Sequence, residues 1–183
     1  MIDIQDLKEK FAGRPAAVLG GGPSLPGDLK RLPKDAILIS VNNHALYFCE
    51  PDYLVFMDIP NPQEFPELAQ AVERFDGFRV SQTPLSDIYV KSVKYWDGGF
   101  SSTLATWFAL YIGCDPVILC GMDCYQGEVK YAHPRPDFYH PALDAPLINH
   151  LNAWKPALEN CPHPERIKAM SGPLVEIFGK YEV

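Results

Sequence analysis

The chain has 183 residues, 16 Lys and Arg against 23 Asp and Glu, a formal net charge of -7 and 47% apolar residues. Length and apolar content suit a single domain spanning residues 1 to 183 around one sizeable core. No basic run is longer than two residues, which excludes a nucleic-acid surface built on phosphate contacts and favours a small-molecule ligand.

The first residues, MIDIQDLKEKFAGRP, carry charges throughout and lack the apolar stretch of a signal peptide, so a cytoplasmic location is expected. Ile4, Leu7 and Phe11 recur at helical spacing, and Gly13 with Pro15 stops that helix. Short apolar runs at Ala16 to Leu19, Ala36 to Val41 and Tyr53 to Met57 read as strands, and their continuous apolar character suits a sheet covered on both faces. Helices are expected near Leu25 to Leu32, around His44 to Phe48 and at Pro62 to Phe75, with a further strand at Phe78 to Ser81. An irregular stretch to Asp97 precedes Gly98-Gly99 and the helix SSTLATWFALYIG, which is apolar nearly all round and therefore buried against the sheet. It is too short to cross a bilayer of about 30 Å, so no membrane span is predicted. PVILCG, Pro116 to Gly121, is the clearest buried strand.

From Met122 to Pro146 the chain is rich in Pro, His, Tyr and Asp without periodicity and reads as a long functional loop. A helix at Leu147 to Leu158, a strand at Ile167 to Met170 and a helix at Pro173 to Phe178 complete the order. The alternation implies an α/β, Rossmann-like three-layer sandwich with a mostly parallel sheet and right-handed crossovers. The five cysteines are odd in number and lie mostly in apolar context, which suits buried thiols better than a disulfide framework. Cys120, Cys124, His133 and His140 match no common zinc-ligand spacing.

The residues that can carry chemistry fall at the carboxyl ends of these strands, the edge at which open α/β sheets bind ligands. After the first strand stands VLGGGPSL, with Gly20, Gly21, Gly22, Pro23 and Ser24 opening a helix. The third Rossmann glycine would fall at Leu25, and no Lys-Ser or Lys-Thr follows to make a P-loop. The turn either lets a phosphate or ribose approach the main chain, with Ser24 capping the helix or offering a hydroxyl, or is a plain glycine turn. Asn42 and Asn43 end the second strand and Asp58 the third, where they can bind a base, a sugar hydroxyl or magnesium, or act as turn formers. Ser101 and Ser102 open the buried helix as caps or as a second ligand-facing terminus. Asp123, Tyr125 and Tyr131 follow the best strand, and the two tyrosines can donate hydrogen bonds to a leaving phosphate without supplying charge. In the long loop, His133 and His140 can each reach a substrate as a general base, whereas His44, His150 and His163 have ordinary surface or packing explanations.

Two of these stretches carry a resemblance. Gly20-Gly21-Gly22-Pro23-Ser24-Leu25, together with ALYIGCDPVILCGMDCYQGEVKYAH and, more weakly, the closing SGPLVEIFG, resembles the small bacterial sialyltransferases. The glycine turn, PDYLVFMD and the Gly-Cys helix ending are also similar to the related 6-hydroxymethylpterin diphosphokinase-like (MptE-like) family.

The sialyltransferase resemblance implies a Rossmann-like, nucleotide-dependent glycosyltransferase that uses a nucleotide-sugar donor and needs no cofactor. It implies that Tyr125 and Tyr131 bind the leaving phosphate, that His140 is the catalytic base, and that Asn42 and Ser101 or Ser102 contact the donor. Gly21 and Asp58 stand where those enzymes carry asparagines. The diphosphokinase-like resemblance instead implies Mg2+ held by Asp58. The partners expected are a nucleotide or nucleotide sugar and a small hydroxyl acceptor, with a homo-oligomer left open. A nucleotide-binding module without catalysis is the third reading.

Overall fold

The computed structural model describes residues 2 to 91, 100 to 134 and 144 to 182. Seven strands form one sheet: β1 Ala16–Leu19, β2 Ile37–Val41, β3 Tyr53–Phe56, β4 Phe78–Ser81, β5 Ile88–Tyr89, β6 Val117–Cys120 and β7 Ile167–Ala169. Their order is β5-β4-β3-β2-β1-β6-β7, and every pairing is parallel. From β1 to β5 the chain steps outward on one side. It then crosses back to place β6 beside β1, so β1 and β6 flank the point at which strand order reverses.

The register alternates cleanly. Ala16 and Val18 face the same side as Val117 and Leu119, under α3 Ser101–Tyr111, whose buried residues cover β1, β2, β3 and β6. Ala17 and Leu19 face the other side with Ile118 and Cys120, under the short α1 Leu25–Leu29 and Met170. Leu54 and Phe56 lie beneath α2 Pro66–Arg74 through Leu68 and Val72. Each central strand is thus covered on both faces, which is why it reads as an unbroken apolar run. Trp154 of α4 Leu147–Glu159 and Phe178 of α5 Val175–Phe178 meet edge to face over the first layer.

Three expectations change. The segment from Ile4 onward forms only a 3-10 turn, Ile4–Leu7, because its later amides bond elsewhere: Glu9 and Phe11 donate to Tyr111 and Ile112 at the end of α3, and Glu9 turns left-handed at φ 55°. The His44 segment is likewise a 3-10 turn, His44–Tyr47. The irregular stretch before Asp97 holds the two-residue β5, too short to show an apolar period. Within residues 122 to 146, those described form neither an α-helix nor a strand. No helix among the described residues is long and apolar enough to cross a membrane. The five cysteines are unpaired thiols, and burial pushes Cys114 up to about 12 and Cys124 and Cys161 to about 11.

Candidate active site

A cleft of about 350 Å³ opens at the carboxyl edge of the sheet, over the β1-β6 junction. Its walls include Gly20, Gly21, Gly22, Asn42, Asn43, Asp58, Ser101, Ser102, Asp123, Tyr125 and Tyr131, so the tertiary fold brings together residues predicted from five separate stretches. Pro23 is exposed and Ser24 turns away, and neither forms part of the wall. His140 lies outside the described residues. A larger hollow, about 920 Å³, lies at the amino ends of β2 to β4 and contains only Asn43 of the predicted set.

One side of the cleft is closed by internal bonds. The Asp28 carboxylate, 1% exposed, accepts from Ser171 Oγ at 2.7 Å, Arg31 Nη2 at 2.7 Å and the Gly121 amide at 3.0 Å. Ser24 Oγ sits between Asp28 and Asp123 and donates to the nearer Asp123 Oδ2 at 2.8 Å, which also accepts from the Ser24 amide. Ser24 makes no capping bond to its helix. The Gly22 amide donates to Gly121 O, and a Cβ at Gly22 would run into the Asp123 carboxylate. Main-chain approach to β6 and Asp123, rather than anion cradling by loop amides, accounts for glycine at that position. The five-residue α1 is too short to build a helix-terminus anion site. Ser171 belongs to the closing SGPL stretch, whose role here is to anchor Asp28.

The opposite side is different. Asn42 leaves β2 in the left-handed region, φ 51°, a conformation Asn tolerates, and its buried Oδ1 has no partner among the described residues. His150, from α4, also lines the cleft, and its buried Nε2 is equally without a partner among the described residues. Buried polar atoms left unbonded cost about 1 to 3 kcal/mol each, so two in one cleft mark a place for ligand atoms. Ser101 Oγ accepts from the Met57 amide at 3.1 Å, tying the end of β3 to the start of α3, while Ser102 stays half-buried in the wall. Asp58 is exposed at the rim, and no three His, Cys, Asp or Glu side chains assemble into a metal set among the described residues.

Cys124 and Tyr125 are both left-handed, φ 51° and 55°, a backbone cost of about 1 to 2 kcal/mol each that places Tyr125 over the cleft. Tyr125 meets Tyr131 edge on at 5.6 Å. Burial, then the neighbouring Tyr131, pushes the Tyr125 phenol well above its ordinary value, so it stays an O–H donor near neutrality. Lys130 is the one Lys or Arg in the described wall, and its Nζ donates to Tyr125 O at 2.6 Å.

Beside the tyrosines stands an aromatic stack that sequence reasoning missed. His44 lies 5.4 Å from Tyr131 and 5.0 Å from His133, and Tyr47 lies on the far face of His133 at 4.5 Å. His44 Nδ1 and His133 Nε2 are 2.8 Å apart, and His133 Nδ1 bonds Pro134 O at 2.8 Å. Burial and His133 together hold the His44 ring at about 3, well below an ordinary histidine. A Cβ on Gly21 would fall 2.8 Å from this ring, so the stack occupies the space a side chain at Gly21 would need. Only the position of His44, just past the carboxyl end of β2, could have signalled its role.

No family model and no curated protein matches the sequence. Among solved structures, the sialyltransferase CstII from Campylobacter jejuni in complex with cytidine 5′-monophosphate superposes with a TM-score of 0.59 at 16% identity, over 93% of this chain and 86% of that one. The likeness is one of fold. The monofunctional α-2,3-sialyltransferase Cst-I of the same organism gives 0.56 at 16% identity, over 92% of this chain and 80% of that one. A second CstII structure, with the substrate analogue CMP-3FNeuAc, gives 0.55 at 16% identity, over 90% and 85%. The seven-stranded parallel α/β sandwich is therefore shared with these enzymes over nearly its whole length.

Proposed function

We propose that the protein is a sialyltransferase-like glycosyltransferase that moves a sugar from a nucleotide donor to a small hydroxyl acceptor. The observation that carries this reading is the Tyr125-Tyr131 pair, set by strained backbone over the cleft at the strand-order reversal and facing the orphaned Asn42 and His150 atoms. The shared fold with enzymes solved holding CMP and a CMP-sugar analogue supports it. The glycines, Asn42, Asn43, Asp58, Ser102 and Asp123 bound the donor site, and the tyrosine pair receives the phosphate.

The step is a direct displacement. The acceptor oxygen bonds to the anomeric carbon as the bond to the phosphate oxygen breaks, and the electron pair leaves with the phosphate. The acceptor proton passes to His140, and phenol hydrogens bond the departing oxygen. Neutral donors fit this cleft, whose described side chains include the acids Asp58, Glu67 and Asp123. No cofactor is required in this scheme.

The test measures CMP binding and sugar transfer from CMP-sugars, with and without chelator. Replacing both tyrosines, Tyr125→Phe with Tyr131→Phe, should lower kcat by about 10²-fold or more while CMP still binds. His140→Ala should abolish transfer with binding retained. Turnover that persists in both variants overturns the mechanism, and turnover lost to the chelator points to magnesium-dependent diphosphate transfer through Asp58. Nucleotide binding unaccompanied by any transfer marks a binding module.

A further inference from the structure

The His44-His133 pair has only one hydrogen arrangement when both rings are neutral. Pro134 O can only accept, so His133 carries its hydrogen on Nδ1. His133 Nε2 is then a lone pair, and at 2.8 Å His44 Nδ1 must be the donor to it. His44 Nε2 is left bare, on a ring that lines the cleft beside Gly21, and no described residue hydrogen-bonds it. Turning the His44 ring over would put a carbon in place of Nδ1 opposite His133 Nε2, so the hydrogen bond favours this orientation.

We propose that His44 Nε2 is a hydrogen-bond acceptor for the nucleoside part of the donor, with His133 as the positioning residue that keeps it accepting. This rests on the nucleotide-donor reading. Two residues back, Asn42 Oδ1 is a buried acceptor without a described partner, so the segment after β2 presents lone pairs. The loop after β6 presents the Tyr125 O–H and Lys130 instead. A lone pair repels a phosphate oxyanion, so the cleft is polarised. The phosphate belongs on the β6 side, and a hydroxyl or amino hydrogen of the nucleoside belongs on the β2 side. Burial and the neighbouring His133 disfavour the imidazolium form of His44, which agrees with a ring that accepts.

Two measurements test this. In the intact wild-type protein, 1H-15N correlations of the imidazole rings should show hydrogen on Nδ1 of both His44 and His133. An Nε2–H tautomer on His44 overturns the assignment without reference to any ligand. Titration then compares CMP with 2′-deoxyCMP, 3′-deoxyCMP and UMP in wild type, His44→Phe and His133→Phe. His44→Phe keeps an aromatic ring in the stack and should weaken CMP about three- to tenfold, the net worth of one hydrogen bond. His133→Phe should weaken it less and leave His44 a mixture of tautomers by the same spectrum. The analogue that lacks the interacting hydrogen should bind wild type and His44→Phe alike: a deoxy compound if the donor is a ribose hydroxyl, UMP if it is the base amino group. Equal weakening of all four ligands, or of none, overturns the inference while the nucleotide reading stands. Failure of wild type to bind any of the four overturns both.

Discussion

The two sides of the cleft solve opposite problems. On the β1-β6 side the buried carboxylates are paired within the protein: Asp28 gathers Ser171, Arg31 and the Gly121 amide, and Asp123 holds Ser24. On the β2 and α4 side, Asn42 Oδ1 and His150 Nε2 are buried without one among the described residues, and His44 offers a bare Nε2. Satisfied polar groups make architecture, and unsatisfied ones make a binding surface. The contrast also divides the predicted residues. Ser24, Asp123 and Ser101 are held by protein hydrogen bonds, whereas Asn42 lines the cleft with an unpartnered acceptor among the described residues.

The largest expected effect comes from breaking the satisfied side. Asp28→Ala strands the Gly121 amide, the Ser171 hydroxyl and Arg31 at once, and should lower unfolding free energy by about 3 to 5 kcal/mol in urea titration. A loss below about 1 kcal/mol would mean that the junction is held by packing alone. Next, Gly22→Ala drives a methyl into Asp123 and should cost about 1 to 3 kcal/mol, with a matching shift in thermal midpoint.

On the open side the effects on stability should be small and those on binding larger. Asn42→Gly removes an acceptor that no described protein group uses and keeps the left-handed backbone without strain, so the same denaturation experiment should move by less than about 1 kcal/mol while CMP affinity falls. A destabilisation equal to that of Asp28→Ala would erase the distinction between the two sides.

The open side also carries a pH dependence. His44 has a folded value near 3, below the ordinary histidine value, so the unfolded chain binds the proton more readily. Stability from this group is complete above about pH 6.5 and declines as the pH falls toward 3, with a slope of at most about 1.4 kcal/mol per pH unit. His44→Phe should flatten that part of the profile. An unchanged slope would place the acid sensitivity elsewhere.

Much of this molecule is legible locally. β1, β6 and α3 lie where apolar runs and flanking glycines put them, because a strand covered on both faces must be apolar throughout and the covered residues are neighbours in the chain. The positions of Asn42, Asp58 and Tyr125 at strand ends followed from the same reading. The 3-10 turn at Ile4–Leu7 did not, because its competing bonds come from the end of α3, a hundred residues away.

The sequence by itself therefore determined the α/β class, the parallel sheet and the edge at which its chemistry gathers, since these depend on short-range pattern and on the handedness of crossovers. Tertiary structure alone decided which partners each of these residues meets. Ser24 meets Asp123 across 99 positions and Ser171 meets Asp28 across 143, contacts that brace the wall of the cleft. His44 and His133, 89 positions apart, become one hydrogen-bonded unit beside Gly21. Hydrogen-bond accounting is a property of the folded volume, and no linear pattern can show which polar atoms will be left without a partner.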